Sequence, residues 1–161
     1  MKKNVLYLLA LICSVTLFTA CSDDDETPAF TLDNVAGTYA GTINLSVGDG
    51  EATDLPGSYD LEVTKGEGST VTIALRDFAI DLGGGTELPL GDIVVDCTAT
   101  VLDNSASISG QDDVELDGLF PGIPLPTTVT GTCDGTNLSL NIDVTGVPAF
   151  NTVAVVFAGT K

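Results

Sequence analysis

From Tyr39 to Phe157 this chain is written in steps of two, and that period constrains its fold more than any other feature. Tyr39, Gly41, Ile43, Leu45 and Val47 alternate with Ala40, Thr42, Asn44 and Ser46, and Tyr59, Leu61 and Val63 alternate with Asp60, Glu62 and Thr64. The pattern returns in Val71, Ile73, Leu75; in Phe78, Ile80, Leu82; in Ile93, Val95, Cys97, Ala99, Val101; in Leu138, Leu140, Ile142, Val144; and in Val153, Val155, Phe157. Successive side chains of a strand point to opposite faces, so each set is a half-buried strand with one face toward a core. Between Leu75 and Phe78 the parity flips, and one extra residue at Arg76-Asp77 predicts a bulge or a bend.

Gly48-Asp49-Gly50, Gly66-Glu67-Gly68, Gly83-Gly84-Gly85, Asp103-Asn104-Ser105 and Asp134-Gly135-Thr136-Asn137 separate these runs. Short strands joined by Gly, Asp and Asn turns read as antiparallel hairpins. With no convincing amphipathic helix, the expected fold is an all-β barrel or sandwich of about eight to ten strands. The stretch 111–126, QDDVELDGLFPGIPLP, opens as an alternating acidic strand and turns Pro-rich, which reads as a long connection over one end. Leu88, Leu90, Leu119, Phe120 and Ile123 lie in or beside the two longest loops. At one end of a barrel they either line a mouth for a hydrophobic ligand or plug that end and complete the core.

The N-terminus carries an address. Lys2 and Lys3 precede an apolar run from Val5 to Phe18 and the small residues Thr19 and Ala20. This is the layout of a secretory signal, and the run falls short of the ~20 residues that span a bilayer. The segment LFTAC, through Leu17, Ala20 and Cys21, resembles the lipobox of bacterial lipoproteins, in which the cysteine is acylated and becomes the new N-terminus. Residues 1–20 are thus read as a lipoprotein signal peptide, 21–30 as lipidated Cys21 with an acidic, flexible tether, and 31–161 as one domain. More than one acyl chain makes a stable anchor, so the expected partner is a membrane held through palmitate-type lipid rather than crossed.

Loss of the signal leaves Lys65, Arg76 and Lys161 against 23 acidic residues, a net charge of 3 − 23 = −20. Such a surface repels phosphate backbones, which excludes nucleic acid as a partner. Cys13 leaves with the signal and Cys21 carries lipid, so Cys97 and Cys133 remain. An even pair in an exported chain suggests a disulfide; the other reading is two buried thiols packing as small apolar residues.

The stretch LDNVAGTYAGTINLSV resembles the opening of a calycin β-barrel, with Gly37, Thr38 and Tyr39 as its Gly-x-aromatic element. Followed by LPLGDIVVDCTATV, GTNLSLNIDV and TVAVVFAGTK, it is similar to the calycin-like (lipocalin-like) β-barrel family of Bacteroidetes surface lipoproteins over roughly residues 33–161. Unlike true lipocalins the chain has no Trp. The resemblance implies an antiparallel calycin-like barrel and transfers no activity to any residue. In that group an acidic run after the lipidated cysteine resembles the signal for the outer face of the outer membrane, and Ser22, Asp23, Asp24, Asp25 and Glu26 fit it.

Candidate chemistry is sparse. Histidine is absent, so Ser-His-Asp and Cys-His arrangements and imidazole metal sites cannot form. Among 23 carboxylates, two lying close together would not mark a glycosidase pair. Asp113, Glu115, Asp117 and Gly118 imitate the first half of a calcium loop, but Pro124 stands where a bidentate Glu is needed. Alternation places those acids on a solvated face, and Asp49, Glu51 and Asp54 read as a soluble turn. A membrane-spanning barrel would need aromatic girdles, and six Phe and three Tyr do not supply them.

The expectation is therefore a non-enzymatic lipoprotein, anchored in the outer membrane and facing the cell exterior, without cofactor or metal. It binds a small apolar ligand or glycan at the barrel mouth; the alternative is a structural or accessory, protein-interacting subunit of an envelope complex.

Overall fold

The computed structural model describes residues 29–81, 87–118, 120–148 and 150–161. A single helical turn, α1 (Leu32–Val35), is followed by β1 (Gly37–Val47), β2 (Thr53–Asp54), β3 (Tyr59–Lys65), β4 (Thr70–Asp81), β5 (Glu87–Leu102), β6 (Ser105–Glu115), β7 (Pro124–Cys133), β8 (Asn137–Val147) and β9 (Asn151–Thr160). From β3 onward each strand pairs antiparallel with the next, and β9 returns to β1 over Ala40–Val47. The result is a closed barrel of eight strands with short β2 as an addition. β2 and β3 share one edge of β1, β2 opposite Asn44 and Leu45 and β3 opposite Gly37–Gly41, with Leu55–Ser58 looping out between them. Among the described residues, closure pairs the main strands on both sides and leaves unpaired edge only at short β2 and along the end of β4 beyond Leu75.

The inward face is apolar. In β8, Leu138, Leu140, Ile142 and Val144 are buried while Asn137, Ser139, Asn141 and Asp143 are exposed. A barrel that crosses a membrane has the reverse pattern, apolar outside and polar within. Tyr39, Leu61, Leu140 and Phe157 are completely buried at the centre, so the lower lumen is a packed core. Glycine takes two inward positions where neighbouring strands come close: a Cβ on Gly110 would clash with Cys97 Sγ, and one on Gly131 with the Ser139 carbonyl oxygen.

Several expectations change here. The extra residue at Arg76-Asp77 is the expected bulge, and it leaves Val71–Leu75 and Phe78–Ile80, read as separate strands, in one strand, β4. Leu88 and Leu90 belong to β5, which starts earlier than the alternating set at Ile93 suggests. The long connection over 111–126 shrinks to 116–123, because β6 continues to Glu115 and β7 begins at Pro124, burying Leu125. Pro124 and Pro126 are tolerated there because their pairing partners, Glu115 and Asp113, lie at the end of β6.

The disulfide between Cys97 and Cys133 is not formed; both are free, buried thiols. Cys133 pairs with Ala106, which pairs with Val101, four residues along β5 from Cys97. The two therefore stand about 13 Å apart along the strands and two strand spacings, about 9.6 Å, across them. A disulfide spans only ~4.4–6.8 Å between Cα atoms. Cys21, the acidic run 22–26 and the signal peptide 1–20 lie outside the described residues.

Candidate functional site

The barrel has two unlike ends. One carries α1 and the β3–β4, β5–β6 and β7–β8 turns; the other carries the β1–β2, β4–β5, β6–β7 and β8–β9 loops.

The first end is closed by hydrogen bonds. Thr31 N–H donates to Asn34 Oδ1 at 2.8 Å and fixes the start of α1, while Leu32 and Val35 turn into the core. Lys161 Nζ donates to the carbonyl oxygens of Asn34 (2.8 Å) and Ala36 (2.7 Å), the orphan acceptors that follow a helical turn, and sits 5.3 Å from the Tyr39 ring centroid. Gly37 has φ 147°, a conformation that side chains rarely adopt, which is why glycine opens β1. Beneath it the Tyr39 hydroxyl donates to the Val35 carbonyl at 2.7 Å and lies 3.0 Å from Cys133 Sγ. Burial, then the contact with Cys133, push the Tyr39 phenol above its ordinary range. Burial, aided by the nearby Asp96 and Asp112 carboxylates, pushes the Cys97 thiol up to about 11. Cys97 is thus held as a neutral thiol, a packing group and not a nucleophile.

The second end holds a cavity of about 280 Å³ lined only by apolar side chains, among them Leu45, Ile80, Leu88, Leu90, Phe120 and Val153. Three register shifts build it. The first extra residue is Asp77 in β4 (φ 49°), the second falls at Leu90-Gly91 in β5 (Gly91 φ 92°), and the third is Gly146 in β8 (φ 73°). Each reverses the facing of the strand beyond it, so that Ile80, Leu88, Leu90 and Val147 turn inward at this end although regular alternation would turn them out. Asp77 is pinned by its own N–H, which donates to Asp92 Oδ1 at 2.8 Å. The β6–β7 loop folds back through Phe120 N–H to the Leu116 carbonyl (2.7 Å), laying both side chains over the opening. Phe150 and Ile123 remain 53% and 41% exposed at the rim.

Of the five residues expected at a mouth, Leu88, Leu90 and Phe120 are brought together in the lining, Ile123 lies outside it, and Leu119 is outside the described residues. Leu45, Val47, Leu116, Val147, Phe150 and Val153, which regular alternation does not assign to a mouth, line the cavity with them and with Ile80. Mouth and plug both have a part in the outcome: the lower lumen is filled, and the upper end is an apolar cup above it.

The other concavities are on the barrel wall. A groove of about 690 Å³ runs over Gly41 and Gly159 between small side chains such as Thr42, Ser139 and Ala158. It is larger than the mouth, but its lining is of small side chains and hydroxyls with Leu138 as the one large apolar residue, and it has no ring. Beside it Asp134 is a turn carboxylate, held below the usual range by the N–H and side-chain amide of Asn137 and the N–H of Thr136. Asp113, Glu115, Asp117, Asp49, Glu51 and Asp54 are all exposed, and among the described residues no group of three or more Cys, Asp or Glu could hold a metal ion.

Residues 35–160 match the family described as calycin-like beta-barrel domain. No curated protein matches the chain. Among solved structures the chain is similar to the crystal structure of a "putative outer membrane protein" from Bacteroides fragilis, at 20% identity and a TM-score of 0.58. The match covers 80% of this chain and 52% of the other, so this chain spans about half the length of that protein. At that identity the likeness is one of fold.

Proposed function

Because this chain belongs to the calycin-like β-barrel family, we propose that it is a non-enzymatic binding protein of the cell surface that takes a small apolar ligand into the open end of its barrel. The observation that carries this reading is the cup of about 280 Å³ without a polar atom in its lining. Ligand sites are concave and mostly apolar, and this one is at the small end of their usual range of ~300–1,000 Å³. A glycan would find no hydrogen-bond partner inside it, so the apolar ligand is the version taken forward. The absence of histidine from the chain and the raised Cys97 thiol favour binding over catalysis.

Anchoring through acylated Cys21 and export to the outer face of the outer membrane through Ser22–Glu26 complete the proposal. They rest on the sequence, and the likeness to an outer membrane protein of Bacteroides fragilis supports them. An accessory role through the outer wall has less behind it: among the described residues its exposed large apolar side chains are Val94 in β5, Val101 and Leu102 at the far end of that strand, and Val156 on β9, four strands away.

Two experiments test the proposal. The neutral probe N-phenyl-1-naphthylamine should brighten on binding the protein, and Val153→Trp, which fills the cup, should cut that binding at least tenfold; equal binding by the filled variant refutes the site. Cys21→Ala should abolish incorporation of labelled palmitate in cells, and persistent labelling refutes the anchor.

A further inference from the structure

The charge around the cup narrows the ligand, and this step rests on the binding reading above. We infer that the mouth selects an apolar group carrying a positive charge, a cationic amphiphile, over fatty acids and other anionic lipids. The acidity of the whole chain does not by itself carry this; the placement of its few cations does. Lys65 is bound to Asp33 of α1 at 2.7 Å, and Lys161 is committed to the carbonyls of the closed end. Arg76 lies outside the barrel wall between Glu62 (3.6 Å) and Asp92 (3.4 Å). No other basic residue exists beyond the two in the signal segment.

The open end therefore has nothing to pair with a carboxylate or phosphate head. It has carboxylates instead, each a few residues along the chain from the lining. Exposed Glu87 precedes Leu88, while exposed Glu115 and Asp117 flank Leu116. Asp49 and Glu51 follow Val47 in the β1–β2 loop. Asp117 leans over the mouth of β5, its Cβ 3.7 Å from where a Cβ on Gly91 would be. The parts of these loops outside the described residues, 82–86, 119 and 149, carry no ionisable side chain.

Partial exposure of the Phe150 ring adds to the selection. An aromatic face at a rim, beside carboxylates, attracts an ammonium and offers nothing to an anion. An apolar tail seated in the cup leaves its head at this ring of acids. A cation there gains Coulomb energy in a partly desolvated setting, and an anion loses it.

The test compares three twelve-carbon chains with different heads, dodecyltrimethylammonium, dodecanol and dodecanoate, each displacing N-phenyl-1-naphthylamine below its micellar concentration. At low salt the ammonium should displace at about tenfold lower concentration than the carboxylate, with the alcohol between. The gap should narrow at about 0.5 M NaCl as the rim charges are screened. Combined neutralisation, Glu87→Gln with Glu115→Gln and Asp117→Asn, should shrink it while leaving dodecanol displacement unchanged. Val153→Trp, which keeps every charge but no longer holds the probe, should lose all three when their binding is read directly by titration calorimetry. Dodecanoate matching the ammonium, or a gap insensitive to the neutralised rim, overturns the head-group selection and leaves the apolar site standing. Ammonium binding that survives Val153→Trp also overturns it, as adsorption to the acidic wall. Failure of all three chains to displace the probe refutes the binding reading itself.

Discussion

Tyr39 has three jobs that a Phe at the same place would share only in part: it fills the core, bonds the Val35 carbonyl, and lies under the Lys161 ammonium. Tyr39→Phe keeps the ring and should cost about 1–2 kcal/mol, since a buried carbonyl loses its donor. Its titration has a definite sign. Tyr39 and Cys97 are both raised above their ordinary values of 10.0 and 9.0, so the folded state keeps protons that the unfolded chain gives up. The Cys97 contribution is complete below about pH 9 and lost as the pH climbs from 9 to about 11; that of Tyr39 is complete below about pH 10 and is still being lost above pH 11. Urea midpoints taken from about pH 7 to 11 should fall over that window, less steeply in Tyr39→Phe and in Cys97→Ala. The thiols permit a second check: a chain beginning at Ser22 should take up two alkyl groups when denatured without reductant, and essentially none while folded. At this scale the sequence was readable for Tyr39, whose Gly-x-aromatic setting marks it, and misleading for the cysteines. Parity of number and an export signal say that two cysteines can meet, but only register says that Cys97 and Cys133 are on different levels of the barrel.

Among the elements, strands with large inward residues declared themselves. β1, β4, β8 and β9 have Ile, Leu, Val or Phe at alternate positions, and the period comes from burying them. β6 and β7 were muted because Ala106 and Gly110, and Thr127 and Gly131, take inward places where only a small side chain fits. The bulges divide the same way. The flip at Arg76-Asp77 is visible because apolar sets of matching period run on both sides of it, whereas beyond Gly91 the set is only Leu90 and Leu88 and beyond Gly146 it is Val147 alone, too short to show a change of parity. That is also why half of the cup went unseen: Val147 reads as outward unless Gly146 is counted as an extra residue. Asp77, at φ 49°, tests the device. Asp77→Gly should leave stability within about 0.5 kcal/mol, whereas Asp77→Val should lose roughly 1–2 kcal/mol in urea melts, because a β-branched residue resists that conformation. The Val variant should also weaken probe binding, since Ile80 depends on the bulge for its direction.

For the molecule as a whole, alternation and turn spacing were enough for an antiparallel barrel or sandwich, and the resemblance of four stretches, in their order along the chain, supplied the calycin-like barrel and the family. The mouth was only half legible, since its lining comes from strands and loops that are far apart in the sequence. Closure has a consequence in time. β1 is finished only by β9, so the pair that seals the barrel joins Ala40 to Thr160, across nearly the whole chain. Contacts that distant form late, after the loop-closure entropy between them has been met. Until the last strand arrives, β1 and β8 both present an unpaired edge. A chain stopped at Phe150 would keep its hairpins and much of its core yet remain a template for its own aggregation, and a chain complete to Lys161 is protected by the strand that is made last.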